Sequence, residues 1–212
     1  MTINYENLNN CKSNIKKFDK SRLLIVTKNQ SVNDIEELII SGYRMFGENR
    51  VQEAKLKYSS LNNLEDISLH LIGPLQTNKV KEALMLFDTI ESIDRKKLVD
   101  EIFKVTNKGS KIKTNKYYIQ INIGSEDQKF GVDKSEVFEL YEYAISKNLS
   151  IEGLMCIPPN TNSPEKYFHE MNLIRNSLDK SLKLSMGMSN DYLLALKFNS
   201  NIVRIGSLIF ND

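Results

Sequence analysis

The 212-residue chain carries two cysteines and two histidines, too few for most metal or disulfide architectures. Cys11 and Cys156 stand far apart in the sequence and match no metal-ligand spacing. Cys156 follows an apolar run and reads as a buried free thiol, which suits a reducing compartment. No Cys/His/carboxylate cluster and no Ser-His-Asp arrangement is present, so the sequence offers neither a metal centre nor a serine-hydrolase triad. No apolar run approaches the roughly 20 residues that cross a bilayer. The polar start, MTINYENLNNCKSNIKK, lacks the apolar core of a secretion signal. A cytoplasmic location is therefore expected. With 29 basic and 27 acidic side chains and a formal net charge of +2, there is no basic footprint for nucleic acid or a membrane surface. The tract from Lys111 to Lys116 reads as solvated loop. No repeat, low-complexity stretch or long linker divides the chain, which is read as one domain over 1–212, long enough to bury a sizeable core.

What the sequence does have is alternation. Short β-rich runs occur at Leu23–Thr27, Tyr43–Phe46, Leu69–Ile72, Thr89–Ile93, Tyr117–Ile123, Ile151–Cys156, Leu182–Met186 and Ile202–Ile205. Several are continuously apolar, as parallel strands buried on both faces must be. Helical patterns lie between them. Ser31 and Asp34 form a capping-box signature before Ile35, Leu38 and Ile39, with Gly42 as the stop. Val137, Leu140, Tyr141, Ala144 and Ile145 repeat with the spacing of one helix face. Ser163-Pro164-Glu165 is a helix start, and Ser189 is read as opening a last helix. Eight strand–helix units in about 200 residues fit a single α/β domain, a closed (β/α)8 TIM-type barrel. A doubly wound open sheet is the alternative, but its first strand is usually followed by a Gly-rich turn, and here Thr27-Lys28-Asn29 follows instead.

In such a barrel, functional groups project from the C-terminal ends of the strands. The first strand ends at Lys28. One reading is a strand-end ammonium that simply reaches solvent. The other is an amine beside an apolar core, where desolvation disfavours the charge and frees the nitrogen to attack an aldehyde. Near the other end of the chain, Gly187 and Ser189 precede a helix, and Gly206 and Ser207 follow the eighth strand. Loops after strands seven and eight form the recurrent phosphate site of this fold. Taken with Lys28, they describe a phosphorylated aldehyde held across the mouth. Arg204 either faces outward into a surface ion pair or faces a bound ring. At a pyridine nitrogen, a guanidinium cannot accept a proton and would keep that nitrogen unprotonated. His70 and Met155 fit structural roles as well as contact with a ligand. Asn49 fits helix capping as well as binding, and Glu48 with Arg50 fits a local ion pair. A Schiff-base aldolase acting on a sugar phosphate is compatible with the bare pattern.

The strings IVTK, FGENRVQE, HLIGPLQTNK, GLMCIPP, LSMGMSNDY and VRIGSLIF run in order over almost the whole chain. They resemble the pyridoxal-phosphate homeostasis proteins, the proline-synthetase co-transcribed family, which look like the N-terminal barrel of alanine racemase standing alone. The resemblance implies pyridoxal 5′-phosphate as cofactor, bound as an imine to Lys28. It implies Ser185, Gly187, Ser189, Gly206 and Ser207 around the phosphate and Arg204 at the pyridine nitrogen. Asn49, His70 and Met155 are implied to lie near the cofactor. It further implies a carrier or buffer of the cofactor rather than an enzyme, with a racemase or decarboxylase as the alternative. The implied partners are the cofactor itself and the apoenzymes that use it, with no nucleic acid and no membrane, and the chain is expected to be a monomer. The segment before Lys28 is short and the chain stops at Asp212, so the leading helix is expected to be trimmed and a sealing last helix incomplete.

Overall fold

A computed structural model describes residues 3–61, 66–109, 111–161 and 163–210. Helix α1 (Tyr5–Ile15) comes first. Strands β1 (Arg22–Val26), β2 (Met45–Glu48), β3 (Ser68–Leu71), β4 (Thr89–Ile93), β5 (Lys116–Ile121), β6 (Ile151–Cys156), β7 (Lys183–Ser185) and β8 (Ile202–Ile205) then alternate with α2 (Val32–Ile40), α3 (Val51–Tyr58), α4 (Val80–Leu86), α5 (Lys96–Thr106), α6 (Val137–Ser146), α7 (Glu165–Leu178) and α8 (Tyr192–Lys197). All eight strands are parallel and pair in sequence order. The sheet closes where Leu24 and Ile25 of β1 register with Arg204 and Ile205 of β8, which excludes the open-sheet alternative.

Closure divides each strand between two environments. Ile25, Phe46, Leu69, Leu71, Ile90 and Leu154 join the large core under the helices. Leu24, Val26, Ile72, Tyr118, Met155 and Ile202 form a second, smaller cluster inside the barrel. Strands that must satisfy both sides carry the near-continuous apolar runs seen in the sequence.

The helix ends follow local chemistry. Ser31 and Asp34 close the capping box of α2, and Gly42 follows it at φ +89°, a left-handed conformation that suits glycine. Helix α6 buries Val137, Leu140 and Ala144, but Ile145 is exposed, so the buried stripe is narrower than its sequence spacing suggests. Helix α7 takes Pro164, not Ser163, as its N-cap.

A leading helix is present. α1 spans 11 residues and buries Leu8, Cys11 and Ile15. It also holds the far end of the chain: the Asn4 N–H donates to the Ile209 carbonyl at 2.7 Å and Asn7 Nδ2 to the Leu208 carbonyl at 2.9 Å. Among the described residues, β8 is followed by a turn to Phe210 rather than a helix, and α1 covers that segment. No described helix is long and apolar enough to cross a membrane.

Candidate cofactor site

A cavity of about 1160 Å³ opens where the strands end, and its lining includes Lys28, Asn49, Ser189, Arg204, Gly206 and Ser207. These come from the loops after β1, β2, β7 and β8 and from β8 itself, brought together because parallel strands in sequence order deliver all their C-terminal ends to one face.

Lys28 stands exposed at the rim, not sunk beside the core as its apolar run suggested, because β1 ends two residues earlier. Among the described residues its amine has no hydrogen-bond or ion-pair partner. The backbone on either side of it is held. Lys57 Nζ donates to the Thr27 carbonyl at 2.6 Å, and Thr27 Oγ1 donates to Glu48 Oε1 at 2.7 Å. The Asn29 N–H donates to Glu53 Oε1 at 2.6 Å, with Asn29 itself at φ +62°. Lys57 pairs with Glu48 at 2.7 Å and with Glu53 at 2.8 Å. Burial pushes the Glu48 carboxyl above its ordinary range, although Lys57 and Thr27 pull the other way. Glu48 therefore pairs with Lys57 rather than with Arg50, which is exposed and serves as the N-cap of α3. That leaves Asn49 outside the cap and free to line the cavity.

Arg204 does not face outward: it is 3% exposed and lines the cavity floor. Its Nη2 donates to the Cys156 carbonyl at 2.8 Å and its Nη1 to Ser185 Oγ at 2.9 Å. Ser185 Oγ donates in turn to Glu91 Oε2 at 2.5 Å. The other oxygen of Glu91 meets His70 Nδ1 at 2.5 Å, and His70 Nε2 meets Ser68 Oγ at 3.0 Å. A file of buried polar groups thus runs through the barrel from Arg204 to the opposite mouth, where His70 and Ser68 line a second, smaller cavity.

This placement separates the expected site residues into two groups. Lys28, Asn49, Ser189, Arg204, Gly206 and Ser207 share the large cavity. Ser185 and His70 lie below it in the polar file, Met155 packs in the inner apolar cluster, and Gly187 is buried under the loop. Alternation along β3, β6 and β7 points His70, Met155 and Ser185 into the barrel interior, below the cavity, and Gly187 lies in the loop after β7. Gly187 has a structural reason for its identity. It lies at φ +94°, and a Cβ there would meet the Ala195 Cβ at 2.5 Å.

The helix near Ser189 also begins later than the sequence suggests. The Met188 N–H donates to Asp191 Oδ1 at 2.6 Å, and this turn delays α8 until Tyr192. Ser189 therefore offers its hydroxyl, not a helix terminus. Ser207 Oγ donates to Ser189 Oγ at 3.1 Å, and the Leu208 N–H donates to it at 3.3 Å. Gly206 keeps the wall open, since a Cβ there would press on Val26 at 3.2 Å.

Sequence reasoning missed Glu91, Thr27 and Lys57. A carboxylate inside the apolar run TIESI was the available signal for Glu91, because a fully buried Glu is rare unless paired. Lys129 also lines the cavity, with its ammonium engaged by Glu126 at 2.6 Å and by the Pro158 carbonyl at 3.2 Å.

A closed eight-stranded barrel with a free lysine after β1 and a buried arginine on β8 defines a class, lysine-bearing (β/α)8 binding barrels. Comparison with known proteins narrows it. The chain belongs to the family described as alanine racemase, N-terminal domain, whose model matches residues 4–212. It is 39% identical over 201 residues to the pyridoxal phosphate homeostasis protein of Aquifex aeolicus, covering 91% of this chain and 87% of that one. It is 36% identical to the protein of the same name from Pasteurella multocida, covering 89% and 85%. Among solved structures, PipY of Synechococcus elongatus without PLP superposes with a TM-score of 0.88 at 30% identity, covering 97% of this chain and 99% of that one. The same protein with PLP bound superposes with a TM-score of 0.84 at 29% identity, again covering 97% and 99%. Alanine racemase of Clostridium difficile shares the fold, with a TM-score of 0.73 at 15% identity, and this chain spans 60% of its length.

Proposed function

We propose that this protein binds pyridoxal 5′-phosphate through an imine to Lys28 and serves as a carrier or buffer of the cofactor, a monomer in the cytoplasm that holds the cofactor for apoenzymes. The observation that carries this reading is the amine of Lys28, without a partner among the described residues, at the rim of a cavity whose floor holds Arg204. The residues present fit the group. A free amine can condense with an aldehyde, releasing water. Ser189 and Ser207 supply hydroxyl donors, and Gly206 allows close backbone approach on the phosphate side. The names of the curated relatives and the PLP-bound PipY structure support the same assignment.

The bound cofactor supplies an electron-withdrawing ring, and this chain's residues restrain it. Arg204 is donor-only and permanently charged, so it holds no proton that it can give to the ring nitrogen. Tyr192 lines the cavity, but its hydroxyl is turned to α1, where it accepts from Asn14 at 3.2 Å and is hydrogen-bonded to Cys11, and Lys129 is held by Glu126. Neither stands free to shuttle a proton on the open face, where general acid–base groups contribute about 10²- to 10⁴-fold each. Racemisation needs such a group on each side of the substrate carbon.

Borohydride reduction of the holo-protein followed by peptide mapping tests the binding. The label is expected on the peptide containing Lys28, and a label on another lysine overturns the assignment. Incubation with L- or D-alanine in D₂O, followed by NMR, tests the carrier role. Exchange of the α-proton at several turnovers per second would replace it with an enzyme.

A further inference from the structure

Arg204 is a buried cation that forms no ion pair within 4 Å among the described residues. It reaches the carboxylate of Glu91 only through one hydroxyl, that of Ser185. Burial of a guanidinium without a counter-charge is expensive, so this indirect link needs a reason.

The donor and acceptor inventory fixes the direction of the bonds to Glu91. An ionised carboxylate accepts only. Ser185 must therefore donate to Glu91, which leaves the Ser185 oxygen to accept from Arg204. For the same reason His70 must carry its proton on Nδ1. Two donors, Ser185 and His70, converge on one carboxylate, and the guanidinium is held in plane by Ser185 on one side and the Cys156 carbonyl on the other. Around Glu91 stand His70 from β3, Tyr118 from β5, Ser185 from β7 and Arg204 from β8, and none of these four can replace its negative charge.

We propose that Glu91 and Ser185 are positioning residues for Arg204, fixing the plane of its guanidinium and balancing its charge, and so tuning the ring of the cofactor that Lys28 holds. This rests on the reading above, in which the cofactor's ring lies against Arg204. With Glu91 neutralised, the guanidinium charge is uncompensated. Positive potential at the cofactor then disfavours the protonated imine, which loses its proton at lower pH. With Ser185 removed, the charges remain but the guanidinium loses an anchor, so the effect has the same sign and is smaller.

The test is a pH titration of the visible imine band of the holo-protein for wild type, Glu91→Gln, Ser185→Ala and Ser185→Thr. Leu98→Ala serves as a destabilised control, since Leu98 is buried in α5 away from the cavity. Glu91→Gln is expected to move the midpoint down by about one pH unit, the scale of one uncompensated charge several ångströms away in a partly desolvated site. Ser185→Ala should move it less, Ser185→Thr should restore it, and Leu98→Ala should lose thermal stability while titrating as wild type. Should Glu91→Gln fail to fold, the Ser185 pair decides. Titration of Glu91→Gln and Ser185→Ala at the wild-type midpoint overturns the proposal, as does an equal shift in Leu98→Ala. A wild-type protein with no imine at Lys28 is a different failure: it overturns the cofactor reading itself, and the tuning role with it.

Discussion

Lys57 Nζ donates to the carbonyl of Thr27 at 2.6 Å, so a buried cation on α3 holds the backbone one residue before Lys28. The same ammonium pairs with Glu48 and Glu53, and Glu53 in turn accepts from the Asn29 N–H. One lysine is spent on holding still the loop that leaves the other lysine free.

Lys57→Met is therefore expected to be severe. It leaves Glu48, fully buried, without its counter-charge, and breaking a buried pair in this way costs about 3–5 kcal/mol. Urea denaturation at pH 7 measures the loss. The surviving folded protein should release cofactor faster than wild type in a dialysis assay. A variant as stable as wild type would show that the clamp contributes little.

Phosphate recognition should dominate affinity. Charge-assisted hydrogen bonds are worth about 1.5–3 kcal/mol each, so pyridoxal without its phosphate should bind orders of magnitude more weakly than the ester. Ser189→Ala and Ser207→Ala should each weaken the ester about tenfold or more. Equilibrium titration of the imine absorbance reads both comparisons, and equal affinity for pyridoxal and its phosphate would refute a phosphate subsite here.

Acid stability should depend on Glu91. Burial opposes its ionisation, yet His70, Arg204 and Ser185 together hold the carboxyl below the ordinary range. A carboxylate depressed in the folded state contributes its stability in full above its unfolded pKa, about 4.3, and loses it as pH falls through the lower folded value. The stability gap between wild type and Glu91→Gln should be about 3–5 kcal/mol at pH 7 and shrink as pH falls below about 4. Urea melts across that range test this; a gap independent of pH would count against an ionised Glu91.

Cys156 should be chemically silent. Burial pushes its thiol up to about 12, with Arg204 pulling in the opposite direction, so almost no thiolate exists at neutral pH. Iodoacetamide should leave Cys156 unmodified in the native protein and alkylate it after denaturation, as peptide mass spectrometry would show. Rapid labelling of the folded protein would contradict the buried placement.

Much of the fold was legible because a strand buried on both faces has to be apolar along its length. All eight runs became strands, five of them displaced by one or two residues at their ends, where turn geometry rather than hydrophobicity decides. Thr89–Ile93, Ile151–Cys156 and Ile202–Ile205 kept their bounds. Glycine and serine next to a strand end were good guides to the mouth, and six of the ten expected site residues meet there. Sequence alone could not tell depth. Ser185 and His70 look like ligand donors in their motifs, yet alternation places both inside the barrel. Glu91 gave only the weak signal of a carboxylate among isoleucines, since its partners come from β3, β7 and β8, far away along the chain. The start of α8 was misjudged because Asp191 folds back on the Met188 N–H, an event that helix-start signals do not encode.

The β1–β8 seam has a consequence for biosynthesis. Lys28 follows the first strand of the barrel and Arg204, Gly206 and Ser207 lie on or after the last, and they meet only when Arg22 to Ile25 register with Ile202 to Ile205. Contacts between such distant segments form slowly, because the chain entropy of joining them is lost first. A nascent chain still on the ribosome presents Lys28 early, but without the wall that would retain a phosphate ester. On the proposed reading of Lys28, loading waits for β8 to emerge. On the same reading, a ligand bridging β1 and β8 favours the closed barrel by mass action, which would couple cofactor supply to completion of folding at one seam.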